Sequence, residues 1–290
     1  MRSLLFVPGD DERKIAKGLA STADALILDL EDAVAPHRKQ AARELCANTL
    51  ASARTSKQLF VRINGLDTAD ALADLAAIAA GRPFGIVLPK CRGGDDVRLV
   101  GHYLSALEAR DEVPLGQIRV LPIVTETGAA MFGLGSYANP PLPRLFGMLW
   151  GGEDLAADIG AITNREADGR YAAPYELARS LCLLAATAAS VIAVDAVYTD
   201  FRDVAGLKEE AIRAQRSGFS AKAAIHPDQI EPINAAFTPS PPDIEWAQRV
   251  VAAFDACPEA GVASVDGKML DRPHYRSALG VLARAQQSNA

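Results

Sequence analysis

The sequence predicts an α/β fold, a (β/α)8 barrel of the TIM type with a C-terminal helical lid or arm. Three observations carry that expectation. Short apolar runs alternate with helix-like stretches along most of the chain, as in parallel sheets joined by crossover helices. Several runs are apolar almost without alternation, as strands buried on both faces are. Charged residues cluster where the runs end: Asp29, Glu31, Asp32, Glu126, Glu153 and Asp154, with Arg62 and Lys90. A barrel brings all of its strand ends to one mouth, where barrel chemistry takes place.

The elements follow in order. Residues 3–7 read as a first strand, followed by a charged helix from Asp10. Residues 24–30 read as the second strand, and Ala42, Leu45, Cys46, Thr49 and Ala53 share one helical face after it. Strands at 58–63 and 84–88 flank an alanine-rich helix at 68–80. A helix at 95–110 leads to a strand at 118–124, where Pro122 removes a ladder donor. Strands at 145–150, 191–195 and 221–225 complete the eight, with helices at 173–190 and 207–216 between them. Glu209 four residues before Arg213 supports the latter helix. The proline-rich stretch Thr238-Pro239-Ser240-Pro241-Pro242 then breaks the pattern. The expected division is a catalytic barrel over 1–238 and a lid or oligomerisation segment over 239–290, with helices at 243–254 and from Pro273.

Bulk properties narrow the function. The chain has 290 residues, which suits a barrel of about 250 residues plus an appendage. A net charge of −6 argues against nucleic-acid or membrane-surface partners, which call for a basic face. No apolar run approaches the roughly 20 residues of a membrane span, and the short apolar start is read as a strand of a cytoplasmic protein. Cys46, Cys91, Cys182 and Cys257 lack metal or redox spacing and are expected as reduced packing thiols. Gly133, Gly135 and Ala138 fit only a loose dinucleotide pattern with no strand directly before them.

The charged residues admit two readings each. Glu126 and Asp154 either converge on a hard cation such as Mg²⁺ or Mn²⁺, or cap the helices that follow them. Arg62 either meets a substrate carboxylate with its rigid fork or neutralises Glu31 or Asp32. Glu31 and Asp32 either hold metal-bound waters or orient Arg62, or else cap a helix before Pro36. Lys39 and Arg43, four apart, either meet a phosphate of the substrate or lie on a solvated face. Lys90 is either a Schiff-base lysine or a counter-charge to its acidic neighbours. His226, before Pro227, shapes a turn, and Asp271 reads as a helix cap.

Seven motifs stand in order: Arg2-Ser3-Leu4-Leu5-Phe6-Val7-Pro8-Gly9, Leu28-Asp29-Leu30-Glu31-Asp32-Ala33-Val34, Val61-Arg62-Ile63-Asn64, Leu88-Pro89-Lys90, Glu126-Thr127, Gly151-Gly152-Glu153-Asp154-Leu155 and Ala224-Ile225-His226-Pro227. Together they resemble the citrate lyase β-subunit-like branch of the malyl-CoA and citramalyl-CoA lyases (the HpcH/HpaI aldolase family), from residue 2 to about residue 277. That resemblance implies a Mg²⁺-dependent lyase whose substrate carries coenzyme A. It implies Glu126 and Asp154 as metal ligands and Arg62 as the contact to the keto-acid part. It also implies a homo-trimer or hexamer, in which a C-terminal segment supplies an aspartate to a neighbouring subunit's site. Asp271 in Met269-Leu270-Asp271-Arg272-Pro273 matches that aspartate. The expected site is therefore Asp271 and Arg62 for catalysis, Arg62, Glu126, Glu31, Asp32 and Lys39 for substrate, and Glu126 and Asp154 for metal. The expected reaction cleaves citramalyl-CoA or malyl-CoA to acetyl-CoA and pyruvate or glyoxylate. The rivals are a citrate lyase β-subunit acting on a carrier thioester, a malyl-CoA thioesterase, and a metal-independent aldolase using Lys90 or Lys222.

Overall fold

A computed structural model describes residues 1–256, 259 and 261–288. Two compact units divide the chain, Met1–Asn234 and Ala235–Ala290.

The first unit is the expected barrel. Its elements alternate from the start: β1 (Ser3–Pro8), α1 (Glu12–Ala20), β2 (Ala25–Asp29), α2 (Lys39–Ser52), β3 (Gln58–Arg62), α3 (Asp70–Ile78), β4 (Gly85–Leu88) and α4 (Gly94–Arg110). There follow β5 (Arg119–Pro122), α5 (Gly128–Gly133), β6 (Gly147–Leu149), α6 (Glu153–Asp158), α7 (Ala173–Ala188), β7 (Ile192–Asp195), α8 (Val204–Ser217) and β8 (Ala221–Ala224). The last, α9 (Ile230–Phe237), runs into the second unit. The parallel strands run in the order β5-β4-β3-β2-β1-β8-β7-β6. Isolated bridges Val120–Leu145 and Ile123–Leu149 close β5 onto β6. β5 and β6 are shorter than their apolar runs. Pro122, lacking an N–H, ends β5, and the ladder to β6 thins to those bridges.

The barrel interior explains the unalternating runs. Every residue of β2, β4 and β8 is buried. Inward side chains form one cluster that includes Leu4, Ile27, Phe60, Val87, Leu121 and Val194. Phe60, Phe84 and Phe146 interlock edge to face or tilted, at 5.1–5.7 Å between centroids. Cys46, Cys91 and Cys182 are buried and free, and burial pushes the Cys46 and Cys91 thiols up to about 12. Cys257 lies outside the described residues.

One buried polar cluster sits behind β6, β7 and β8. Lys222 is wholly buried, and its ammonium donates to Asp195 (2.8 Å), Glu210 (2.8 Å) and the Ala196 carbonyl (2.7 Å). Asp195 also accepts from the Trp150 indole (2.7 Å) and from Arg179 (2.9 Å). Burial opposes its ionisation, yet Lys222 and Arg179 draw its carboxyl down to about 2.

The second unit holds α10 (Pro241–Asp255), a hairpin of β9 (Val262–Val265) and β10 (Lys268–Asp271), and α11 (Arg272–Ser288). Ser240 and Asp243 cap α10 reciprocally. Val250, Phe254, Leu270 and Ala278 form a small core. The hairpin is a correction, since the sequence reads as a loop there; its strands are only four residues each. No helix among the described residues is long and apolar enough to cross a membrane.

Replacing Lys222 by methionine keeps the volume but removes the cation shared by two buried carboxylates, leaving Asp195 to Arg179 and Glu210 to Arg165. The expected loss is about 3–5 kcal/mol of unfolding free energy in urea titrations at neutral pH. A loss under about 1 kcal/mol would mean that Arg179 and Arg165 compensate Asp195 and Glu210 without Lys222.

Candidate active site

The ends of β1, β2, β3, β5, β6 and β7 surround a cavity of about 440 Å³. Its lining includes Asp29, Asp32, Arg62, Glu126 and Asp154 beside Phe6, Ile123, Leu149, Trp150 and Tyr171. The cavity thus has a charged side and an apolar side. A second groove shares Phe6, Val7, Pro8 and Ile225 with it and adds Lys14, Lys17 and His226.

Asp29 organises the charged side. It ends β2 and is 1% exposed. Its two oxygens accept the fork of Arg62, from Nε at 2.7 Å and Nη2 at 2.6 Å. The same oxygens accept the backbone N–H of Glu31 (2.9 Å) and Ala33 (3.2 Å), which folds the acidic loop. Arg62 Nη1 lies 3.0 Å from Glu31 and 3.7 Å from Asp32. The sequence places Asp29 in the acidic ring but gives it no partner; the bidentate pair needs β2 and β3 side by side, as they are.

Glu126 and Asp154 come from neighbouring strand ends. Thr125 Oγ1 accepts the Gly151 N–H at 3.0 Å and donates to its carbonyl, tying the two loops. A Cβ on Gly151 would lie 2.9 Å from Glu126 Cγ, so only glycine permits this approach. Glu126 is not a helix cap, because Thr127 caps α5 through the Ala130 N–H. Instead Glu126 is 2% exposed and accepts the Lys90 backbone N–H. Burial pushes its carboxyl well up, the Lys90 N–H opposes this, and the charges of Asp154 and Glu31 add to it. Asp154 lies in the first turn of α6 with its side chain about one-third exposed. Among the described residues no group of three or more His, Cys, Asp or Glu could hold a metal ion by itself. Two oxygen donors, one of them a buried carboxylate under like-charge repulsion, suit a hard divalent cation that takes its remaining ligands from water or substrate.

The other expected residues separate. Glu31 is buried between Arg62 and Lys90, and Asp32 is exposed at the cavity rim. Burial raises the Glu31 carboxyl against the pull of Arg62 and Lys90. Lys39 does not line the cavity: its ammonium donates to the Leu30 carbonyl (2.6 Å), the Glu31 carbonyl (2.8 Å) and Asn64 Oδ1 (2.7 Å). It braces the acidic loop from behind, where the expectation was contact with substrate. Arg43 likewise turns inward, to Asp70 and Asp74. Glu153 accepts from Asn164 (2.8 Å). Asp271 ends β10 in the second unit, where His274 Nδ1 stands 2.5 Å from it and holds its carboxyl below the usual range. His226 caps a turn by accepting the Asp228 N–H. Trp150 and Tyr171, packed edge to face at 4.8 Å, form an aromatic wall that sequence reading missed, since Tyr171 lies outside every predicted element.

Residues 2–227 match the HpcH/HpaI aldolase/citrate lyase family, and residues 175–288 match a C-C bond lyase family of the TIM-barrel fold. A (3S)-malyl-CoA thioesterase of Cereibacter sphaeroides is 39% identical, over 98% of this chain and 94% of its own. The mitochondrial citramalyl-CoA lyase of Mus musculus is 33% identical, over 98% of this chain and 86% of its own. The crystal structure of CitE from Mycobacterium tuberculosis, in complex with magnesium, acetoacetate and coenzyme A, superposes with a TM-score of 0.80 at 36% identity, covering 98% of each chain.

The raised carboxyl of Glu126 has a measurable consequence. Unfolded, a glutamate ionises near 4.3; in the fold it ionises at higher pH. Between those values the folded state binds more protons, so stability falls as pH rises through the window. After EDTA treatment, Glu126→Gln should melt higher than the parent protein at pH 8, and the gap should shrink toward about pH 4. A gap independent of pH would sink this account.

Proposed function

The chain belongs to the HpcH/HpaI aldolase/citrate lyase family, and we propose that it is a Mg²⁺-dependent carbon–carbon lyase. Its substrate would be a 3-hydroxyacyl-CoA with a free carboxylate, citramalyl-CoA or malyl-CoA. The products would be acetyl-CoA and pyruvate or glyoxylate. One observation carries this reading: Arg62 and the carboxylate pair Glu126 and Asp154 line the same cavity as an apolar wall. An anionic head and a small alkyl fragment can lodge there together. The adjoining groove with Lys14, Lys17 and His226 suits the phosphates of a coenzyme A tail. The binding of magnesium and coenzyme A by the related CitE supports both assignments.

Glu126 and Asp154 would hold the ion, which when bound supplies Lewis-acid polarisation of the substrate's hydroxyl and carboxylate. Arg62, its fork fixed by Asp29, meets the carboxylate without reorganising and stabilises negative charge as it develops. The hydroxyl passes its proton to solvent, the bond between C2 and C3 breaks, and the electron pair of that bond passes to the thioester as an enolate. Asp271, which His274 holds as a carboxylate at rest, takes up a proton from solvent and then acts as the acid that protonates the enolate carbon, giving the acetyl methyl group. Trp150, Tyr171 and Leu149 keep water from the enolate. A homo-trimer or hexamer that brings an Asp271-bearing segment to each cavity belongs to the same reading.

A thioesterase is the second reading, favoured by the 39% identity to a malyl-CoA thioesterase. The Schiff-base rival loses support. No lysine lines the cavity among the described residues, Lys90 is ion-paired, and Lys222 is wholly buried against two carboxylates. Burial favours a neutral Lys90, but its hydrogen bond to Glu31 and the surrounding acids outweigh that and raise its pKa.

Incubation with citramalyl-CoA and malyl-CoA plus Mg²⁺ should yield acetyl-CoA and the 2-oxo acid, and EDTA should abolish both. Free CoA with intact malate would select the thioesterase. No cleavage of either would favour a carrier-dependent subunit. Asp271→Asn should lower kcat by about 10²–10⁴-fold while Mg²⁺ affinity stays within about threefold. Parallel loss of metal binding would refute its role as acid.

A further inference from the structure

Lys90 is a conformational exception at the edge of this site. It follows β4 and Pro89 with a φ of +51°, in the left-handed region that side-chain-bearing residues rarely enter. Such a backbone persists only where its surroundings over-determine it, and it clusters at functional sites. Here they do. Tyr137 donates to the buried Cys91 sulfur at 3.2 Å, and the Gly94 N–H donates to Ser136 Oγ at 2.8 Å. A Cβ on Gly94 would fall 2.4 Å from the Ser136 carbonyl, and one on Gly133 would fall 2.0 Å from the Arg92 carbonyl. Segment 91–94 is therefore pressed against 133–137, and the turn at Lys90 is fixed before any ligand arrives.

That turn directs both ends of one residue at the carboxylates that surround the site. The Lys90 backbone N–H donates to Glu126 Oε2. The ammonium donates to Glu31 Oε1 and lies 3.8 Å from Asp154 and 4.0 Å from Asp32. The other Glu31 oxygen faces Arg62 Nη1 at 3.0 Å. Glu31 is thus shared between two cations. Without Lys90 its full charge would fall on Arg62, whose fork Asp29 already neutralises. An arginine compensated by two carboxylates attracts a third anion weakly.

We propose that Lys90 is a positioning residue of this site: its backbone fixes Glu126 while its ammonium draws Glu31 away from Arg62, so that Arg62 keeps its charge for the substrate. This deepens the functional reading above and rests on its assignment of Arg62 to an anionic substrate. It also assigns the left-handed turn a purpose, because an extended Lys90 would not aim N–H and side chain at the same carboxylate cluster.

The test is calorimetric and needs no turnover. Mg²⁺, then pyruvate on the Mg²⁺-loaded protein, is titrated into the full chain and into Lys90→Met, Lys90→Arg and Lys90→Gly. Lys90→Met should bind pyruvate ~10-fold more weakly, yet bind Mg²⁺ no more weakly, since it removes a cation beside Asp154. Lys90→Arg should recover most of the pyruvate affinity. Lys90→Gly keeps the N–H and suits the left-handed turn, so it should melt no lower than the parent and bind Mg²⁺ normally, but bind pyruvate as poorly as Lys90→Met. Unchanged pyruvate affinity in Lys90→Met would overturn the proposal, as would a parallel loss of Mg²⁺ affinity. If the parent protein binds both ligands but cleaves neither thioester, the lyase reading fails while the role of Lys90 is still decided. If it binds neither, both fall.

Discussion

The pairing of Arg62 with Asp29 is the interaction on which the charged end of this barrel depends. A guanidinium 13% exposed cannot remain unpaired, and the carboxylate facing it is closed to solvent. Together they fix more than each other. The remaining capacity of Asp29 folds the acidic loop through the N–H groups of Glu31 and Ala33. Lys39 and Asn64 then brace that loop from behind through the Leu30 and Glu31 carbonyls. A buried pair of this kind adds little net stability, but breaking it is expensive. Its value is to hold one geometry.

A second constraint lies behind the aromatic wall. Lys222, Arg179 and Arg165 face Asp195 and Glu210 around the buried indole N–H of Trp150. Arg165 also stacks over Tyr171 at 4.1 Å. Trp150 and Tyr171 line the cavity, so this cluster shapes the apolar side much as Asp29 shapes the charged one. Both sides of the cavity are thus backed by networks of paired charges.

Much of the fold was legible in the sequence, and the reasons are local. Residues 25–29, Ala-Leu-Ile-Leu-Asp, are buried throughout, and a strand closed on both faces has to read that way. The ring of acids at the strand ends marked the mouth for the same reason. What failed was local too. The β9–β10 hairpin has four-residue strands with little alternation in burial, too short for a period to register. Lys39 and Arg43 looked like a solvent or phosphate face by spacing alone, yet both ammonium and guanidinium turn inward to oxygens on neighbouring elements.

By itself the sequence determined the eight-stranded alternation and the residue types at the mouth. Each follows from a periodicity or a composition contained within a few residues. Only the tertiary structure decided which charge meets which. Arg62 and Asp29 are 33 positions apart, Trp150 and Asp195 are 45, and Lys90 and Glu31 are 59. Barrel closure, not chain proximity, makes them neighbours. No spacing rule reaches across that distance, because electrostatic energy depends on separation in space and the chain encodes that separation only once every strand is in register.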